Sequence, residues 1–282
     1  MNNLDYLRVG IGQVATSLAD LNANLEKHRQ FIDQANAQHI DLLLFPELSL
    51  TGYNLKQQTL DVALPTSHEI FDELAAIATN MAVCVGFVEE AAPGEFYNAH
   101  AILKHGQMIH LHRKINLPNY GPFEEGKWFS KGQAIESSEP FPGWRTHSLI
   151  GSDLWNPALP HIAMLDKPSL LLAPMNNAET LLGDTLLPSQ GWETNTNFLS
   201  MTYGVPVLMA NSCSNEGELR FNGHSRILNA YGECVAEADR QEQLLVTELA
   251  LRDIRQARFQ LPTIRDANSA LVNKLLRNRC DE

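Results

Sequence analysis

Apolar and polar positions along the chain switch repeatedly between a period of two and a period near 3.6. Residues 7–14 read as a strand, and residues 22–38 carry Leu25, His28, Phe31, Ile32 and Ala35 on one side of a helix. Residues 41–45 are a continuous apolar run, the pattern of a strand covered on both faces. A helix over 69–81 is followed by a strand over 83–88. Segments 99–103 and 108–111 flank His105-Gly106, which reads as a hairpin turn. Residues 148–151 read as a short strand end, 169–173 as a strand, 191–203 as a helix and 205–210 as a strand. Segments 223–228 and 233–236 are predicted strands around the turn Ala230-Tyr231-Gly232. Residues 244–248 form the last predicted strand, and 268–278 a terminal helix. No linker, repeat or low-complexity tract interrupts this alternation. It predicts one layered α/β domain over 1–282, with a tail from about residue 267 leaving it.

Composition narrows the function classes. The 282 residues are 44% hydrophobic and 19% charged, an ordinary globular balance. The formal net charge of −12, with no basic run, argues against a nucleic-acid or anionic-membrane partner, since both need clustered Lys and Arg. No stretch approaches the roughly 20 apolar residues of a membrane span. The opening MNNLDYLRVGIGQV lacks the apolar core of a signal peptide, so a cytoplasmic location is expected. Cys84, Cys213, Cys234 and Cys280 are scattered without a CxxC pair, as expected of free thiols in a reducing compartment. The ten histidines show neither HxxxH nor HxxE spacing, so no metal and no cofactor are predicted.

Three segments carry candidate chemistry. In LLLFPELSLTGY (42–53) a buried strand runs into Pro46 and then Glu47. Desolvation beside an apolar strand makes a carboxylate a readier proton acceptor, which suits a general base. The plain alternative is a solvated loop carboxylate that caps the next element. In HRKINLPNYGPFEEGKWFSKG (112–132), Lys114 follows a strand and could stabilise a developing oxyanion. Glu125 in the same segment could orient that lysine or a substrate nitrogen; surface charge on a long loop is the alternative. The length and aromatic content of the segment favour function over disorder. In HSLIGSDLWNPALP (147–160) a strand end runs into a turn in the manner of a nucleophile elbow, but the elbow residues are Gly151-Ser152. Asp153 is expected to cap that turn through nearby backbone amides.

The order FPELxxTGY, HRKxxLPxYGxFxE and xDLWxP resembles the nitrilase, or carbon–nitrogen hydrolase, superfamily. The opening VGIGQV, the segment GFVEE with Tyr97-Asn98, the stretch ANSCSNEG…FNGHSRILNAYGE and the late DIRQARFQLPTIRD extend the likeness over residues 7–266. The LPNYGPFEE and DLWNP variants resemble the branch near the glutaminase domains of NAD synthetases and related amidases. The resemblance implies an αββα sandwich that pairs into a homodimer. It implies Glu47 as general base, Lys114 as oxyanion-stabilising cation and Glu125 as a second, positioning carboxylate. By position in the same motifs, Tyr53, Tyr120, Ser152, Trp155 and Cys213 are candidate substrate contacts.

In that family a cysteine thiolate attacks an amide or nitrile carbon, and water later cleaves the covalent intermediate. The cysteine's place falls on Gly151, where a side chain is lacking. Four explanations stand. The chain is a non-hydrolytic relative that binds a small amide, nitrile or carboxylate; or Glu47 activates a water directly; or Ser152 or Cys213 substitutes as nucleophile; or the glycine is an engineered replacement, for which Ala or Ser is the ordinary choice. Ser152 adjoins Gly151 on a predicted strand, which turns its hydroxyl to the opposite face. A small buried thiol is the alternative reading of Cys213.

Overall fold

In the computed structural model the described residues are 4–178 and 188–280. The first half runs β1 (Tyr6–Gln13), α1 (Leu21–Ala37), β2 (Leu42–Leu44), α2 (Thr59–Val62), α3 (Glu69–Ile77), β3 (Ala82–Ala92), β4 (Glu95–Lys104), β5 (Gln107–Arg113) and α4 (Glu125–Trp128). The second half begins with β6 (Ser138–Phe141), β7 (Trp144–Ser148), α5 (Ala158–Leu165), β8 (Leu170–Met175), α6 (Pro188–Tyr203) and β9 (Val207–Asn211). After the small ribbon β10 (Asn215–Glu216) and β11 (Leu219–Arg220) come β12 (Arg226–Leu228), β13 (Cys234–Glu237) and β14 (Gln243–Ala250). Helices α7 (Leu251–Gln260), α8 (Thr263–Asp266) and α9 (Ser269–Cys280) complete the described chain.

Strand alternation builds the layers. The described residues form two six-stranded sheets, ordered β14-β1-β2-β3-β4-β5 and β13-β12-β9-β8-β7-β6. Leu42 and Leu44 point one way and join Leu7, Val9, Ile11, Leu170, Leu172 and Leu208 in a core between the sheets. Leu43 points the other way, into a core that α1 and α3 cover through Phe31, Ile32, Phe71 and Leu74. On the second sheet, Leu171 and Ala173 pack beneath α5 and α6 against Met164, Trp192 and Leu199. Period-two burial therefore gives a helix–sheet–sheet–helix sandwich, the expected αββα class. Among the described residues no helix is long and apolar enough to cross a membrane.

Several boundaries differ from the sequence reading. The helix expected over 69–81 stops at Ile77, and the strand expected over 223–228 is confined to Arg226–Leu228. Residues 148–151 do not end as a strand. Pairing stops at Ser148, and Gly151 instead opens a 3-10 turn over Gly151–Trp155. Strands β6 and β7 escaped notice because Pro140, Pro142 and Gly143 break their pattern. Helix α7 escaped because its composition is mostly charged and polar, with only Ile254 and Ala257 buried.

The turn after β2 is set by a close backbone approach. Leu50 N–H donates to Gly86 O at 2.9 Å, and Gly86 N–H donates to Ser49 Oγ at 3.2 Å. A Cβ on Gly86 would stand 2.3 Å from Leu48 N and 2.7 Å from Pro46 O, so only glycine lets β3 pass beneath this turn. Leu48 itself sits at φ 49°, a left-handed backbone that the surrounding bonds hold in place. Gly86→Ala is therefore expected to displace the Pro46–Leu48 segment and lower stability by about 2–3 kcal/mol. Urea denaturation checks this; a loss under roughly 0.5 kcal/mol would mean the turn is not held by this contact.

Candidate active site

The end of β2 carries Glu47, and the end of β5 carries Lys114, anchored where Lys114 N–H donates to Asn98 O at 2.8 Å. Both side chains are almost fully buried. Lys114 Nζ donates to Glu47 Oε1 at 2.5 Å and to Glu125 Oε1 at 2.7 Å. The ammonium thus lies between two buried carboxylates. Asn98 Nδ2 donates to Glu47 Oε1 at 2.7 Å, and Tyr53 Oη donates to Glu125 Oε1 at 2.5 Å. Asn176 Nδ2 donates to the Glu47 backbone carbonyl at 2.7 Å.

This arrangement shifts its proton equilibria. Burial pushes the Glu125 carboxyl up to about 7; the Lys114 charge opposes the shift and Glu47 adds to it. Burial works against the Lys114 ammonium, but the charges of Glu125 and Glu47 outweigh it and hold the group above its ordinary pKa. Burial, then the charges of Glu125 and Glu47, raise the Tyr53 phenol well above its usual value. Near neutral pH the cluster holds a charged lysine and a Glu125 poised to gain or lose a proton.

The elbow faces this cluster. Gly151 sits at φ +45°, and a Cβ built on it would lie 3.1 Å from Glu47 Oε2 and 3.4 Å from Lys114 Nζ. Asp153, fully buried, ties the elbow to the lysine segment. Its Oδ1 accepts from Ile115 N at 2.9 Å and Asn116 N at 2.7 Å, and its Oδ2 accepts from Ile150 N at 3.1 Å. His112 Nε2 lies 3.0 Å from the same Oδ2. The expected capping role of Asp153 thus extends across two segments that are distant in sequence.

Above Gly151 lies a pocket lined by Glu47, Tyr53, Lys114, Tyr120, Ser152 and Trp155, together with Pro118, Phe123, Met175, Asn176, Asn177, Gly191 and Trp192. Tyr120 stands half exposed with its ring edge-to-face on Phe123, and Trp155 packs at 4.8 Å on Trp192. Ser152 lines the pocket, but its hydroxyl donates to the Asn116 carbonyl. Glu125 does not line this pocket; it borders a neighbouring cavity and reaches the site through Lys114 and Tyr53. Cys213 is not among the lining residues. It belongs to the segment that crosses Val14, where its N–H donates to Val14 O at 3.2 Å, and burial pushes its thiol up to about 12. The acidic residues Glu179 and Asp184, read as a possible lure for a cationic substrate, lie outside the described residues.

Sequence reading gave no site role to Asn98, Asn176, Asn177 or His112. Asn98 and His112 lay within quoted motifs; Asn176 and Asn177 come to the site through sheet order, not spacing. Trp192, read as pocket or dimer-layer packing, lines the pocket. Asn176 Oδ1, Asn177 Oδ1 and Glu125 Oε2 are buried without a hydrogen-bond partner. Among the described residues no group of three or more His, Cys, Asp or Glu is arranged to hold a metal.

Comparison with known proteins supplies the family. Residues 8–259 match the family model described as carbon-nitrogen hydrolase. The glutamine-dependent NAD(+) synthetase of Thermotoga maritima is 29% identical over 248 residues, covering 86% of this chain and 41% of that protein. The chain thus spans less than half the length of that relative. A carbon-nitrogen hydrolase from Helicobacter pylori G27 superposes with TM-score 0.85 at 21% identity, over 96% of this chain and 98% of that one. A double mutant of the amidase from Nesterenkonia sp. AN1, in complex with acrylamide, superposes with TM-score 0.81 at 23% identity, over 98% and 99%. Another variant of that amidase shows acrylamide added at its active-site cysteine. With a family model matched over most of its length, this chain belongs to the carbon–nitrogen hydrolase family.

Proposed function

We propose that the chain binds a small amide, nitrile or carboxylate over Gly151 and does not cleave it through a covalent intermediate. One observation carries this reading. The Cβ direction of residue 151 aims between Glu47 Oε2 and Lys114 Nζ, at 3.1 and 3.4 Å, where a nucleophile would stand, and residue 151 has no side chain. The Lys114 ammonium would polarise a carbonyl or nitrile bound there; Asn176 and Asn177 also line the pocket, and their side-chain oxygens are buried without a hydrogen-bond partner. Glu125 holds the lysine, and the Tyr53 hydroxyl in turn donates to Glu125. Neither substitute nucleophile is favoured. The Ser152 hydroxyl is engaged with a backbone carbonyl, and Cys213 is absent from the lining with its thiol held protonated.

The magnitudes agree with lost turnover. Removing the nucleophile of a well-studied triad costs about 10⁶-fold in kcat, while electrostatic stabilisation alone leaves about 10³-fold over water. A second reading rests on Glu47 Oε2, which faces the same space and could deprotonate a water there for direct attack. Slow hydrolysis by the parent chain that Glu47→Gln abolishes would favour that route.

Two outcomes are expected. Deprotonation of Glu125, centred near about 7, adds negative charge beside Lys114 and weakens its hold on a carbonyl oxygen. Affinity for propionamide, read by calorimetry, should therefore fall as pH rises through that value, and Glu125→Gln should flatten the profile. A level profile in the parent chain would count against the placement of the ligand on Lys114. The second outcome concerns Gly151→Cys. The left-handed backbone costs a non-glycine residue roughly 1–2 kcal/mol, and the Glu47 carboxylate must give by a few tenths of an ångström. The variant should fold and hydrolyse small amides or esters at least about 10³-fold faster than the parent. A folded but inert variant would mean that the pocket does not present an amide to this cluster.

A further inference from the structure

On β10 the Glu216 side chain is almost fully buried, and the groups that meet its carboxylate are neutral. Oε1 accepts from Thr16 Oγ1 at 2.8 Å and from Ser214 Oγ at 3.2 Å. Oε2 accepts from the main-chain amides of Tyr53 at 2.9 Å and Asn54 at 2.8 Å. The Glu216 backbone carbonyl accepts from Asn54 Nδ2 at 3.2 Å. Among the described residues neither amide has a main-chain acceptor, so both rely on this carboxylate. The approach is close. Gly52 stands at φ +80°, and a Cβ there would lie 3.2 Å from Glu216 Oε1. Burying a carboxylate is costly unless hydrogen bonds replace its water, and the donors to both oxygens do so here.

What this turn delivers is the Tyr53 hydroxyl. The ring is flanked edge-on by Phe123 at 5.7 Å and Phe221 at 5.6 Å, and Phe221 directly follows β11, the partner strand of β10. Oη donates to Glu125 Oε1 at 2.5 Å. That bond favours the charged carboxylate and opposes the burial that lifts Glu125. We propose that Glu216 is a positioning residue for the buried cluster: by holding the Tyr53 main chain it keeps the hydroxyl on Glu125, and so sets the charge that faces Lys114. The inference does not depend on what the pocket binds. The groups facing Glu125 are Lys114, Glu47, Tyr53 and Tyr120, with Glu124 and Lys56 on the cavity it borders. Within ANSCSNEG nothing in the spacing marks Glu216, because the amides it holds lie 163 and 162 residues away along the chain.

The test titrates Glu125 in the full chain by carboxyl-carbon NMR, with its signal assigned from Glu125→Gln. Glu216→Gln keeps the side chain's shape but leaves a single acceptor oxygen for the same donors, so the turn loosens. Two effects then have opposite signs. Removing a negative charge lowers the Glu125 midpoint through space, whereas losing the Tyr53 bond raises it. We expect Glu216→Gln to raise the midpoint by about 1 pH unit, as the loss of one charge-assisted hydrogen bond gives. Tyr53→Phe should raise it by a similar amount, and the double variant should add nothing further. A fall, an unchanged midpoint, or a rise that adds to that of Tyr53→Phe would overturn the inference and leave Glu216 as a tie within the fold. Should Glu216→Gln fail to fold, Glu216→Asp draws the carboxylate back by one methylene while keeping its charge. A rise is expected there too, and an unchanged midpoint in that variant would overturn the inference.

Discussion

One ammonium held between two buried carboxylates organises this molecule's site. Lys114 Nζ contacts Glu47 at 2.5 Å and Glu125 at 2.7 Å, with all three side chains nearly removed from water. Ions buried this way are tolerated only when each is paired, and breaking such a pair costs about 3–5 kcal/mol because a charge is left without a partner. Two acids around one cation leave an excess of negative charge, and the burial of Glu125 lifts its carboxyl to about 7 as the structure's answer. Asn98 and Tyr53 then use hydrogen bonds to fix which oxygen faces the lysine.

Three further constraints deliver the groups to that point. Gly86 lets the Glu47 turn lie against β3, because any Cβ there would strike the backbone of Pro46 to Leu48. The main-chain bond from Lys114 to Asn98 extends the β4–β5 ladder by one residue and brings the lysine inward. Asp153 grips the elbow and the lysine segment together through backbone amides on both. All of this machinery converges on residue 151, where the chain has a glycine. Glu47 and Lys114 therefore both border a position that carries no side chain. Fold membership alone does not assign a reaction, so the chemistry of the pocket has to be argued from those atoms.

Much of the architecture was legible in the chain. The apolar run ending at Phe45, the helical spacing from Leu25 to Ala35 and the His105-Gly106 turn each reported a local rule that the fold obeys. Elements failed where local rules conflict with tertiary context. Proline and glycine hid β6 and β7, and a mostly polar surface hid α7. Within the site, Glu47, Lys114 and Glu125 were picked out because the resemblance names them in two short motifs. Asn176 and Asn177 were not, since their place in the lining arises from the end of β8 lying beside the elbow strand. Cys213 was expected in the lining and is not there, because the chain after β9 turns back across Val14 instead of towards Lys114. A motif reports which residues recur together; only the sheet order reports which of them share a cavity.

The most direct test of a pocket without a covalent step is peptide-mapped mass spectrometry of the chain held with propionamide and quenched during incubation. The account predicts no propionyl group on Ser152, on Cys213 or on any residue bordering Gly151. An acyl adduct at one of these positions that forms and then decays would contradict it, and would give the chain a nucleophile in place of the missing side chain.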